Sequence, residues 1–208
     1  MKMKHKVLST AVASALALGA LAPAAHATEV SAEIGAASMY YWRGFDLGGG
    51  AAVWGDLSVS ASGFYAGIWT SSGDEALGTE YDLYVGYGTE IGDFGIDVSY
   101  ATYVYPEVEI SPGDVAELIL GLSYGPAFLS YHYGLEDLED YWYAMVGVNV
   151  GDFTLAYGQH EFEYSHVDVS YNYNDNLSFT LGLVVDDVDG EFNNDPKFVV
   201  SFSLPIEF

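Results

Sequence analysis

Lys197-Phe198-Val199-Val200-Ser201-Phe202-Ser203-Leu204-Pro205-Ile206-Glu207-Phe208 is the stretch whose pattern decides the fold. Every second residue is large and apolar: Phe198, Val200, Phe202, Leu204, Ile206 and Phe208. The residues between them are mostly small or polar. A period of two places the apolar row on one face of a strand. That row runs to the final Phe, an arrangement from which a soluble protein gains little.

The other end of the chain explains why such a strand is useful. Lys2, Lys4 and Lys6 precede an Ala/Leu-rich core over 7–22, and Ala25-His26-Ala27 follows as a small-x-small cleavage site. Residues 1–27 therefore read as a secretory signal peptide, with 28–208 as a single mature domain. No later segment approaches the roughly 18 unbroken apolar residues of a spanning helix. Yet half of the chain is hydrophobic and 16% is aromatic. A membrane protein without spanning helices must be a closed β-barrel, because lipid cannot satisfy open backbone groups. Bacterial outer-membrane barrels end on an alternating strand with a terminal Phe. That resemblance implies a barrel-closing strand that the barrel-assembly machinery reads through Phe208. The lack of Cys fits an exported chain that dispenses with disulfides.

Twelve alternating segments are expected, near 29–43, 51–60, 64–71, 80–91, 94–105, 115–124, 127–134, 140–150, 153–162, 165–173, 177–186 and 197–208. Most have about the 9–11 residues that a tilted strand needs to cross a bilayer. Connections alternate in length. Tight turns at Gly92-Asp93, Gly125-Pro126, Gly151-Asp152 and Asn174-Asp175-Asn176 alternate with mostly longer polar stretches at 44–50, 72–79, 106–114, 135–139 and 187–195. Short periplasmic turns and longer extracellular loops are the outer-membrane pattern. The fold class expected is therefore all-β, a transmembrane antiparallel up-and-down barrel of twelve strands.

The Gly-Asp turns test the facing. Pairing across Gly92-Asp93 sets Ile91, Thr89, Tyr87 and Val85 opposite Phe94, Ile96, Val98 and Tyr100. Pairing across Gly151-Asp152 sets Val150, Val148 and Val146 opposite Phe153, Leu155 and Tyr157. Apolar residues meet on one face in both hairpins, as a fixed register demands. Aromatics gather at strand ends, at Tyr40-Tyr41-Trp42, Tyr103/Tyr105, Tyr131/Tyr133, Tyr141-Trp142-Tyr143 and Tyr171/Tyr173. Barrels place such rings at the two headgroup levels.

Three motifs carry a resemblance: Ser38-Met39-Tyr40-Tyr41-Trp42-Arg43-Gly44, Ser62-Gly63-Phe64-Tyr65-Ala66-Gly67-Ile68-Trp69, and Thr79-Glu80-Tyr81-Asp82-Leu83-Tyr84-Val85-Gly86-Tyr87. With Gly121-Leu122-Ser123-Tyr124-Gly125-Pro126 and Phe208, the chain resembles the TorF family of porin-type proteins over nearly its whole mature length. The resemblance implies a proteobacterial outer-membrane barrel of about twelve strands and brings no catalytic residues.

Charge narrows the function. Cleavage would remove three of the five basic residues, leaving Arg43 and Lys197 against 30 acids. Such a chain does not bind nucleic acid through phosphates. It attracts cations weakly and at many points. Parity puts Glu33, Asp56, Asp82, Glu90, Asp97, Glu117, Asp168 and Asp186 on the lumen row with Arg43. Acids lining an open lumen favour cations, whereas trapped water would make them polar filler. Arg43 either braces the mouth or contacts a solute. Tyr65, Trp69, Tyr84 and Tyr103 share lumen parity and form a candidate aromatic track. His160 and His166 oppose one another if their hairpin centres on Glu163. With Asp168 they could hold Zn²⁺ or Cu²⁺, although no metal or other cofactor is otherwise implied. Asp186-Asp187-Val188-Asp189-Gly190-Glu191 lacks the first acid of a calcium loop.

Three functions remain open. The leading one is passive diffusion of small hydrophilic solutes, with cation preference, through an acidic lumen. The second is a closed structural or adhesive barrel. The third is a lipid-modifying enzyme, for which Ser130 and His132 share a face but no Gly-x-Ser-x-Gly elbow exists. The first is not an enzyme.

Overall fold

A computed structural model describes residues 28–48, 50–188, 190 and 192–208; the expected signal peptide lies outside them. In chain order the strands are β1 (Glu29–Ala37), β2 (Tyr41–Trp42), β3 (Phe45–Asp46), β4 (Ala52–Ala61), β5 (Phe64–Asp74), β6 (Gly78–Ile91) and β7 (Phe94–Tyr105). They continue as β8 (Ile110–Tyr124), β9 (Ala127–Glu136), β10 (Trp142–Val150), β11 (Phe153–His160), β12 (Tyr164–Asn172), β13 (Leu177–Asp187) and β14 (Lys197–Ile206). Apart from β2 and β3, each strand pairs antiparallel with its sequence neighbours. β14 returns to β1, which closes a barrel of twelve strands.

Both tested registers are those expected, with Ile91 opposite Phe94 and Val150 opposite Phe153. The barrel is apolar outside and polar inside. Phe198, Phe202, Leu204, Leu57, Val85 and Val146 are exposed on the outer wall. Ser178, Thr180, Ser201, Ser203, Asp97 and Glu117 are buried within. Such inversion suits a lipid exterior and a polar interior, the arrangement of an outer-membrane-type barrel.

The connections do alternate, but the loop end is trimmer than expected. Strands β5 and β6 run on to leave only 75–77 between them, and β8 begins at Ile110 after a short 3-10 turn over Pro106–Val108. Register shifts at Ser71/Asp74, Tyr103/Tyr105 and Ser165/His166 let the ladder continue into sequence that looks like loop. The last of these also changes the parity of β13, so Asp186 is exposed at its loop end instead of lying in the lumen row.

The largest departure is at residues 38–48. The expected strand 29–43 stops at Ala37. The chain then folds back into the lumen as the β2–β3 hairpin, in which Tyr41 faces Asp46 and Trp42 faces Phe45. Tyr40, Tyr41, Tyr103, Tyr105 and Tyr143 are therefore buried inside the barrel, not set at a headgroup level. Tyr131, Tyr133 and Tyr173 remain exposed. Strand parity cannot report a segment that leaves the wall.

Candidate functional site

Arg43 and Gly44 form the two-residue turn of the internal hairpin, with φ of 46° and 95°. Positive φ at both positions gives the twist of a type I′ turn, which normally selects Asn-Gly. Arg in the first position is strained, so something must hold it there.

Glu117 of β8 does so. Arg43 Nη1 donates to Glu117 Oε1 at 2.7 Å and Nη2 donates to Oε2 at 2.6 Å. Both side chains are almost fully buried. Nη1 also donates to the Tyr141 hydroxyl at 3.0 Å, and Nη2 lies 2.8 Å from His132 Nδ1. Tyr103 donates to Glu117 Oε2 at 2.6 Å. The guanidinium carbon sits 4.5 Å from the Trp42 ring centroid and 4.7 Å from that of Tyr143. A bidentate, charge-assisted pair between aromatic faces is among the stronger clamps available to a buried cation.

The backbone of the turn is held as well. His160 Nε2 lies 2.8 Å from the Arg43 carbonyl, and Tyr164 donates to the Gly44 carbonyl at 3.0 Å. A carbonyl only accepts, so His160 carries its proton on Nε2. Its Nδ1 then accepts from the Tyr141 hydroxyl at 3.1 Å, the same hydroxyl that accepts from Arg43. Phe45 stacks on Tyr164 at 4.3 Å between centroids and also meets Phe192 and His160. The hairpin is thus a plug, polar at its tip and aromatic along its flank.

Gly44 admits no larger residue. A Cβ there would lie 2.8 Å from the Tyr164 ring and 2.9 Å from that of His166. Gly44→Ala should destabilise the seated plug by about 1–3 kcal/mol through left-handed backbone strain, before any clash is counted. A lowered thermal midpoint of the detergent-refolded protein would register it, and an unchanged midpoint would mean the turn relaxes freely.

The His160–His166 pairing differs from expectation. The hairpin centres on Phe162, so His166 faces Gly158 and the two imidazole centroids are 6.3 Å apart. A side chain at 158 would collide with His166 Nε2, which explains the glycine. His166 Nδ1 lies 3.1 Å from Asp168 Oδ1 and Nε2 lies 3.1 Å from the Tyr143 hydroxyl. All four ring nitrogens of the pair are engaged by protein groups. Among the described residues, no three His or acid side chains are placed to hold a metal.

Four of the remaining lumen acids accept a hydrogen bond from a tyrosine hydroxyl. Tyr65 donates to Asp97 at 2.8 Å, Tyr84 to Asp56 at 2.8 Å, and Tyr41 to Asp168 at 2.5 Å. Tyr40 donates to Glu80. Glu33 stands beside Asp56 in the register, while Glu90 is exposed at the tight-turn rim. Tyr65 and Tyr84 pair 6.2 Å apart, but Trp69 lies against Tyr40 and Tyr103 is committed to Glu117. The four aromatics are struts instead of a continuous track. Glu80, Tyr40, Tyr105, Tyr141 and His132 were missed as lumen contacts. Glu80 shared parity with Asp82 and could have been found; the others depend on where the plug sits. Ser130 Oγ has no hydrogen-bond partner among the described residues, and His132 Nδ1 is within reach of Arg43 and Glu117, so no Ser130–His132 dyad forms.

Comparison with known proteins places the chain as follows. A search of curated proteins finds no match. Among solved structures it is similar to outer membrane phospholipase A from Escherichia coli, with 10% sequence identity, a TM-score of 0.42, and coverage of 83% of this chain and 88% of that one. A bacterial family described as proteins of unknown function, Gcw_chp, matches residues 21–199. Spanning so much of the sequence, that match shows that the chain belongs to the Gcw_chp family.

Proposed function

We propose that this protein is a small outer-membrane channel of porin type, passing hydrophilic solutes and preferring cations, with the 38–48 segment as its closed-state plug. The observation that carries the proposal is the inward row of acids, Glu33, Asp56, Glu80, Asp82, Asp97, Glu117 and Asp168, inside a closed barrel with an apolar exterior. A wall of carboxylates raises the local cation concentration and repels anions. A barrel of twelve strands is wider than the eight-stranded kind that side chains fill, so a passage opens when the plug leaves. The resemblance to TorF-type porins supports the same reading, as does the expected signal peptide for export. Outer-membrane lipid would be the partner of the outer wall.

A second reading is a closed structural barrel. The tyrosine–carboxylate bonds favour it, because each braces the wall across an intervening strand, from β5 to β7 and from β6 to β4. Bilayer conductance of the refolded mature protein under a salt gradient separates the two. Discrete openings with a cation-directed reversal potential are expected. A folded, inserted barrel that stays silent even with 39–47 deleted would overturn the channel reading.

A further inference from the structure

Glu80 and Asp82 stand two residues apart on the inward face of β6, both buried, at 3% and 5% exposure. Alternation puts both side chains on the same face of the strand. Two neighbouring buried carboxylates require a counter-charge or a shared proton. The mature chain has two basic residues to offer. Arg43 is committed to Glu117 through both terminal nitrogens, and Lys197 donates to the Asn193 carbonyl at the far edge of β14.

A separate observation points to what supplies that charge. Ser71 of β5 is directly opposite Glu80 in the register and only 3% exposed, and its hydroxyl oxygen has no hydrogen-bond partner among the described residues. Asp82 Oδ1 is likewise buried and without a partner. A buried hydroxyl and a buried carboxylate oxygen without partners are each costly unless a further group completes them. Tyr40 donates to Glu80 Oε2, which fixes that carboxylate while leaving lone pairs open.

We propose that Asp82, Glu80 and Ser71 form a binding site for a hard divalent cation of the Ca²⁺ class within the barrel. The donor set is all oxygen, as such ions require, and two carboxylates balance a double charge. Water completes the coordination shell, since three side chains cannot supply the usual six to eight ligands. Imidazole plays no part, which separates this site from the His160–His166 region. Tyr40 belongs to the plug segment, so the ion and the plug share Glu80. The site needs no conduction: a barrel silent in bilayers would bind the ion equally.

The test uses Tb³⁺, a luminescent Ca²⁺ surrogate, on the refolded mature protein in detergent at neutral pH. Tyr40 contacts Glu80, and the Trp69 ring lies 6.3 Å from that of Tyr40, so aromatic excitation should sensitise a bound ion. One saturable class is expected, displaced by Ca²⁺, with a lifetime in H₂O and D₂O that reports fewer coordinated waters than the aqueous ion carries. Ions on loop acids keep most of theirs. Asp82→Asn should weaken that class by about tenfold or more and Ser71→Ala by less, with Glu136→Gln, exposed at the end of β9, unchanged. Folding is verified by heat-modifiable electrophoretic mobility, and Ser71→Ala serves if Asp82→Asn fails to fold. A lack of any poorly hydrated class, or full binding in a folded Asp82→Asn or Ser71→Ala variant, would overturn the proposal and leave a shared proton as the means by which the two carboxyls coexist.

Discussion

Arg43→Ala should unseat the plug. Removing the guanidinium leaves Glu117 buried with only Tyr103 and His132 beside it, and also deletes the cation between Trp42 and Tyr143. Breaking a buried ion pair from one side costs about 3–5 kcal/mol, because the remaining charge has no solvent to return to. The cost falls on the seated state alone. Once the hairpin has left, water can reach Glu117. A few kcal/mol is enough to turn a minor open state into the dominant one. Because the chain has no Cys, Phe45→Cys gives a single reporter. Labelling by a membrane-impermeant maleimide should be slow with Arg43 present and fast in the Arg43→Ala background. Conductance should rise in parallel. Glu117→Gln leaves the buried guanidinium without its counter-charge and should unseat the hairpin to a similar degree. Equal labelling with and without Arg43 would show that contacts other than the Arg43–Glu117 pair hold the hairpin.

Val146→Arg tests the outer wall with a comparable effect. Val146 lies midway along β10, exposed, with Leu129 and Tyr157 as its cross-strand neighbours. If that wall faces hydrocarbon, Arg at mid-depth should cost about 2–4 kcal/mol of folding free energy in lipid vesicles, measured by denaturant titration. Serine at inward-facing Thr154 provides the contrast and should cost little, since its surroundings are already polar. A barrel indifferent to Arg at 146 would not have lipid on its apolar face.

Much of the barrel can be read from residue order alone. Alternation in Phe198, Val200, Phe202 and Leu204, and the Gly-Asp turns at 92–93 and 151–152, fix which strands pair and which face turns outward, since both signals are local. Parity likewise places Glu33, Asp56, Asp82, Asp97, Glu117 and Asp168 inside. The plug is a different matter. Residues 38–43 alternate no differently from a wall strand, and Tyr40-Tyr41-Trp42 has the composition of a headgroup girdle. What turns them inward is a partner 74 positions away, the Arg43–Glu117 pair, and no spacing rule carries that distance. The same dependence hid Tyr141 and His132, whose roles exist only relative to Arg43. The hairpin between β11 and β12 centres on Phe162 instead of Glu163, which sets His166 opposite Gly158, two residues from His160, and a one-residue change of centre is below what turn length can resolve.

The position of the plug also constrains the order in which the molecule can be built. Its first residue, Ser38, is tied to β14: Ser38 N donates to the Val200 carbonyl at 2.9 Å, and Val200 N donates to Ser38 Oγ across 162 residues. The plug therefore hangs from the seam, where the earliest strand meets the latest. Contacts so distant in sequence form late, after nearer hairpins have zipped. Until β14 arrives, β1 has a free edge and the segment after it lacks its anchor. Filling of the interior and closure of the wall become one event, and a chain stalled before its final strand would expose both an unpaired edge and an untethered arginine.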